Sequence, residues 1–233
     1  MKRFLPALVS GFLSAVMAVP AFAGSQEDAV IALHAKPHAE KALNICPGGD
    51  ASEDPNTQGL ACSDYDVAAP ANESVDVYLV VAKGSSQAGI AGLSCGIRYD
   101  ADISMFGWTL CSDLEFSSRD PNPTWPASGS ANRITWTAST NCQRTEFGED
   151  GAHAVAGSFY IYAYGDGIFD ITTNNTVQSG AELQVADCAS AESNILEAAS
   201  VGFGTLGGCN PCLDDCVVPV VPVTWGKIKS TFE

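Results

Sequence analysis

The 233-residue chain carries 27 acidic and 11 basic residues, a net charge of −16, yet it is 46% hydrophobic and only 16% charged. That composition excludes a disordered polyanion, and the sign of the charge argues against nucleic acid and anionic membrane as partners. A packed, acidic protein is expected instead.

In chain order, Lys2 and Arg3, the apolar run that follows and the box Ala21-Phe22-Ala23 have the three parts of a secretory signal peptide. The mature chain is then expected to start at Gly24, with a net charge of −18 once Lys2 and Arg3 are removed. No later apolar run is long enough to span a bilayer, so no membrane span is expected after signal removal. The expected location is secreted or associated with the cell envelope. The organisation expected is a signal peptide (1–23), an N-terminal extension (24–71), a β-sandwich (72–200), a Gly/Cys-rich segment (201–216), and a Pro/Val spacer with a basic-aromatic tail (217–233).

All nine cysteines follow residue 23: Cys46, Cys62, Cys95, Cys111, Cys142, Cys188, Cys209, Cys212 and Cys216. In an oxidising compartment they are disulfide candidates, and an odd number leaves at least one free, modified or bridged to another chain. The loop after Pro47 suggests a local Cys46–Cys62 bridge. Cys209-x-x-Cys212-x-x-x-Cys216 supplies only three local ligands, so a disulfide is favoured there over zinc. His34 and His38 stand four apart, but Pro37 between them breaks the helix a metal pair would need, and a solvated linker is expected.

The strand signals begin with a short run at Ala29–Leu33. Val75, Val77, Leu79 and Val81 alternate with Asp76, Tyr78, Val80 and Ala82. After the breaker KGSSQAG, Leu93, Cys95, Ile97 and Tyr99 resume the period of two. Two half-buried strands joined by a loop are the expected seed of an antiparallel sandwich. Further strands are expected near 106–111, 132–138, 152–164, 169–171 and 181–185, with at most two helical turns at 192–199. Seven or eight short strands and no long amphipathic helix give an all-β, jelly-roll-like antiparallel sandwich with disulfides and irregular terminal extensions.

The stretch from Val75 to Ala189 resembles the cohesin-like modules of secreted bacterial proteins. The resemblance rests on VDVYLVV, then GIAGLSCGIRYD, a segment near Gly107, the strand NRITWTAS, the glycine-opened GSFYIYAY and the late AELQVAD, in that order. It covers about half of the chain and implies a jelly-roll-like β-sandwich that engages dockerin partners or acts in surface adhesion. The cysteines at 95, 111, 142 and 188 depart from the family's pattern, and no motif carries a partner-binding residue over to a numbered position.

The candidate binding residues are aromatic. Tyr160, Tyr162 and Tyr164 share one face of a strand whose other face holds Phe159, Ile161 and Ala163. Trp125, between Pro123 and Pro126, is the tryptophan expected to be exposed, whereas Trp108 and Trp136 share parity with aliphatic neighbours and read as core. No cofactor is expected. Calcium is the one cation that the loop carboxylates Asp100, Asp102, Glu149, Asp150, Asp166 and Asp170 suit, although no twelve-residue calcium loop is present. Gly202 to Gly207 matches G-x-G-x-x-G without the strand–helix setting that phosphate binding needs, and reads as a flexible loop. No G-x-S-x-G surrounds a serine, and no catalytic residue is assigned. In the tail, Trp225, Ile228, Lys229 and Phe232, with Lys227, fall at spacings of three and four behind a proline-stiffened spacer, as in a docking or sorting signal. A surface or secreted protein is the expected partner, with polysaccharide as the alternative.

Overall fold

The computed structural model describes residues 25–38, 46, 60–119, 122–146, 151–176 and 182–216. The signal peptide, Glu149, Asp150, the spacer and the tail lie outside them. Among the described residues twelve strands make two sheets and no α-helix occurs. β1 (Val30–Pro37), β3 (Ser74–Gly84), β8 (Ala152–Ala163) and β5 (Ile103–Leu110) form a four-stranded antiparallel sheet in the order β1-β3-β8-β5. The second sheet contains β11 (Glu192–Asn194), β10 (Gln184–Asp187), β4 (Ile90–Tyr99), β9 (Gly167–Thr172), β12 (Ser200–Phe203) and β2 (Ala68–Ala69), in that order. β7 (Ala131–Thr135) lies on the other side of β4, and β6 (Leu114–Ser117) lies beyond β7.

β3 and β4 do not pair with each other. They belong to opposite sheets, and the loop between them carries the chain across the sandwich. The sheets also draw in chain from both sides of the expected 72–200 module, since β1 pairs with β3 in full register and β12 pairs with β9. The segment 192–199 opens as a strand rather than a helical turn, with Ser193 opposite Val185.

The core forms where the inward faces meet. Leu33, Val77, Leu79, Phe159 and Ile161 pack from the four-stranded sheet against Leu93, Ile97, Ile134, Phe169 and Val201 from the other. Each buried side chain of this size contributes about 1.5–3 kcal/mol. β3 is buried on both faces, not one, because Leu60–Tyr65 and Cys212 cover part of its outer side. Val30, Ala32, Tyr78, Val80, Ala82 and Val155 sit beneath them in a second cluster. The Asn210 amide fixes this cover by donating to the Cys62 and Tyr65 carbonyls at 3.0 and 3.2 Å.

Four bridges staple the fold: Cys46–Cys111, Cys62–Cys212, Cys142–Cys188 and Cys209–Cys216. The expected Cys46–Cys62 bridge is therefore corrected. Both partners reach cysteines far along the chain, because the extension is fastened onto the sheet rather than closed on itself. Cys95 is free and wholly buried, and burial pushes its thiol up to about 12, which leaves it inert as a nucleophile.

Candidate functional site

The inter-strand register defines the outer surface of the larger sheet. Side chains paired across strands share a face, so two rows can be read from β11 to β6. One runs Glu192, Ala186, Gly92, Thr135, Leu114, and the next runs Asn194, Gln184, Ser94, Arg133, Phe116. The centre of each row is small, and the ends are long. The result is a trough of about 270 Å³ floored by Gly92, Ser94 and Ala186 and walled by Trp136, Arg133 and Glu192. On the Arg133 side the wall continues into Leu114 and Phe116, which are 52% and 60% exposed. The loop after β9 reaches over the Ser94 end of the floor, where the Asn174 amide donates to the Ser94 hydroxyl at 3.0 Å. Exposed apolar side chains around a concave, small-residue floor are what a docking surface needs.

Sequence reasoning missed this site. β6 is only four residues long, LEFS, and its Leu114/Phe116 alternation around Glu115 was the one available signal. Glu115 turns inward, where it accepts hydrogen bonds from the Trp108 indole (2.9 Å) and the Asn132 amide (2.7 Å). It thus anchors β6 and leaves the two apolar residues pointing out.

The tyrosine stripe lies on the outer face of the other sheet. Phe159, Ile161 and Ala163 point into the core, Tyr160 and Tyr162 are half-buried, and Tyr164 is 61% exposed. Tyr160 stacks on His38 at 4.4 Å and lies 5.5 Å from Phe106, while Tyr162 and Tyr164 are 4.8 Å apart. His38 in turn pairs with the buried Asp76 at 2.9 Å. Burial raises the Asp76 pKa, and the His38 contact opposes that rise.

Trp125 corrects its expectation. It is only 8% exposed, packs edge-on to Trp108 at 5.3 Å and lies 5.4 Å from Phe159. The prolines around it fold the ring into the open end of the sandwich, so it is packed rather than exposed. The structure thus separates Trp125 from the tyrosines rather than bringing them together.

The histidines and three of the loop carboxylates have structural partners. His34 Nδ1 accepts the Asp66 backbone N–H at 3.0 Å, and His153 Nδ1 lies 3.0 Å from the Tyr65 hydroxyl. Asp100 accepts from the Ile168 N–H, Asp166 holds Thr205, and Asp170 pairs with Arg98 at 2.6 Å. Among the described residues no three metal-ligating side chains converge. A larger cavity of about 470 Å³ lies beside Ser25, Gln26 and Lys83. Two of the side chains that line it are engaged internally: Ser25 donates to Asp187 at 2.5 Å, and Gln26 bonds Gly89 and Ser85.

Two of the turns beside the trough depend on ionised carboxylates. Burial raises the Asp187 pKa, but hydrogen bonds from Ser25, Ala191 and Ala189 outweigh it and hold the group below the usual range. Asp113 is lowered by the Thr137 backbone N–H and by Asn141. A carboxyl depressed in the folded state adds stability that is complete above its unfolded pKa of about 4 and is lost as pH falls through the folded value. Asp76, which is raised, acts with the opposite sign. Chemical unfolding is expected to show near-constant stability from pH 7 to about pH 5 and a decline below about pH 4. Asp187→Asn should shrink the decline, and an undiminished decline in that variant would refute the assignment.

No protein-family model matches the chain, and no curated protein does. Three similar solved structures are cohesin modules. The sixth cohesin of Acetivibrio cellulolyticus scaffoldin B, solved with a Cel5 dockerin mutant, is 14% identical, with a TM-score of 0.41, covering 60% of this chain and 93% of that one. A cohesin module from a Clostridium perfringens family 33 glycoside hydrolase is 9% identical, with a TM-score of 0.37, covering 60% and 91%. The OlpC cohesin of Clostridium thermocellum, solved with a dockerin, is 12% identical, with a TM-score of 0.40, covering 60% and 90%. The four disulfides fit an extracytoplasmic protein, and no helix among the described residues is long and apolar enough to cross a membrane.

Proposed function

We propose that this chain is an exported, non-catalytic binding module that takes a protein partner in a surface or secreted assembly. The trough on the outer face of the larger sheet is the docking site. The observation that carries the reading is the register, which sets Gly92, Ser94 and Ala186 as a floor between Glu192 on one side and Leu114 and Phe116 on the other. An apolar centre with a charged rim is the anatomy of a protein interface. The polysaccharide alternative rests on the exposed Tyr164 and Phe106 of the opposite face and loses Trp125 as a contributor.

The test is capture of a partner from the native envelope fraction by the chain from Gly24 with its disulfides intact. Ala186→Arg should fill the trough and reduce stoichiometric capture at least tenfold, while Tyr162→Ala and Tyr164→Ala leave it unchanged. Retention of polysaccharide that is lost in the tyrosine variants, with no protein captured, would instead establish the alternative.

A further inference from the structure

We infer that the trough is a receptor for a side-chain carboxylate, so that the partner docks with an aspartate or glutamate on Arg133 and Ser94. The inference rests on the trough being a protein-docking site and names the chemistry that it selects. Three observations carry it.

The first is an unspent cation. Arg133 projects from β7 on the outer face of the larger sheet, is half-buried and forms part of the trough wall. Arg98 pairs with Asp170, and Arg144 donates to the carbonyls of Ser86, Gln87 and Ala88. The Arg133 guanidinium has neither an ion pair nor a hydrogen bond among the described residues. Acidic residues outnumber basic ones 27 to 11 in this chain, so a half-buried arginine left without one is reserved for an acid from outside. Its planar fork of N–H donors suits a carboxylate, which takes two parallel hydrogen bonds from it.

The second is a donor beside it. Ser94 stands directly opposite Arg133 across β4 and β7, on the same face, with about 5 Å between Cβ atoms. Ser94 is 4% exposed, and its hydroxyl accepts the Asn174 amide at 3.0 Å. That leaves the serine O–H to donate, and among the described residues no acceptor takes it. A guanidinium and a hydroxyl donor side by side call for an acceptor with a single negative charge.

The third is the surroundings, which decide between anions. Phe116 lies opposite Arg133 on its other side, and Phe116 and Leu114 are both exposed, so residues flanking the carboxylate meet an apolar surface. Glu192 stands exposed on the far wall, three strand spacings from Arg133, and the chain as a whole carries −16. A polyanion or a phosphate dianion is repelled by both. One carboxylate within an apolar or basic segment is not. The two walls also fix direction, with the partner's acid toward Arg133 and any base toward Glu192.

Selection from a random peptide library displayed on phage, panned on the chain from Gly24 with its disulfides intact, tests this. Clones that lose binding to the Ala186→Arg variant are trough binders. They should share one aspartate or glutamate next to an apolar residue, and panning on Arg133→Glu should replace that acid by lysine or arginine. For a synthetic peptide of the shared sequence, changing the acid to its amide or Arg133 to alanine should each weaken binding about tenfold, and both together should cost no more than either alone. Thr135→Trp replaces Ala186→Arg if that variant does not fold. Arg133→Gln likewise replaces Arg133→Glu, and its trough binders should show no acidic preference. Trough binders without a shared acid, or an acid that persists on Arg133→Glu, overturn the inference and leave the docking reading standing. Retention of polygalacturonate that Arg133→Glu abolishes, with no trough-dependent peptide, overturns it in favour of an acidic polysaccharide. Indifference of every bound clone to Ala186→Arg, with no polygalacturonate retained, sinks the inference and the docking reading together.

Discussion

Replacing Cys62 and Cys212 together by alanine is expected to cost about 4 kcal/mol, a fall in melting temperature of roughly 10 °C. This bridge joins residues 150 apart, the longest separation of the four. Opening it restores the most chain entropy to the unfolded state. It also unfastens the cover over Val30, Ala32, Tyr78, Val80, Ala82 and Val155, so the native state loses burial as well. The matching Cys209/Cys216 variant, which closes a separation of only 7 residues, should lose about 2 kcal/mol. Equilibrium unfolding in denaturant measures both. Equal losses for the two variants would show that the long bridge does not hold the cover in place.

Phe159→Ala is the other large effect, with an expected loss of about 3–5 kcal/mol. The ring is fully buried at the centre of β8, 4.5 Å from Trp108, 5.4 Å from Trp125 and 5.0 Å from Phe169. Its removal leaves a cavity that three rigid rings cannot close without leaving their own rotamers. Tyr164, five residues on and on the outer side, should tolerate alanine within about 0.5 kcal/mol. A cost for Phe159→Ala under about 1 kcal/mol would mean that the sandwich is not packed around this cluster.

The strands of the module were legible because alternation is a direct consequence of the pleat. In β8 and the residue that follows it, the sequence separates Phe159, Ile161 and Ala163 from Tyr160, Tyr162 and Tyr164, and the structure turns the first set inward and the second outward. What a single strand cannot show is which others it meets. The alternation in 75–82 and 93–99 reads the same whether the two strands form a hairpin or face each other across the sandwich. β3 also has apolar residues on both faces, a sign of burial on both sides whose cover lies in residues remote in sequence.

Other features were hidden for local reasons. Gly202 and Gly208 read as loop flexibility, but a side chain at Gly202 would run into the Leu206 and Gly207 backbone, and one at Gly208 into the Val67 and Ser200 carbonyls. These glycines permit close packing of chain on chain around β12. The bridges follow spatial proximity, of which cysteine spacing carries no trace. The trough was illegible because its floor is defined by what is missing, the small residues Gly92, Ser94 and Ala186, which gain meaning only when the register sets them side by side. Trp125 misled because prolines usually mark an exposed loop, and here they turn an indole back into the core.

On the proposed reading, the larger sheet's outer face is the surface that meets a protein partner. Photo-crosslinking tests it most directly. A photoreactive residue is placed at Thr135 in one version of the chain from Gly24 and at Tyr164 in another, and each is illuminated in the native envelope fraction. One discrete protein adduct is expected from position 135 and none from position 164. Adducts from position 164 alone would place the binding surface on the tyrosine face and rule out the trough.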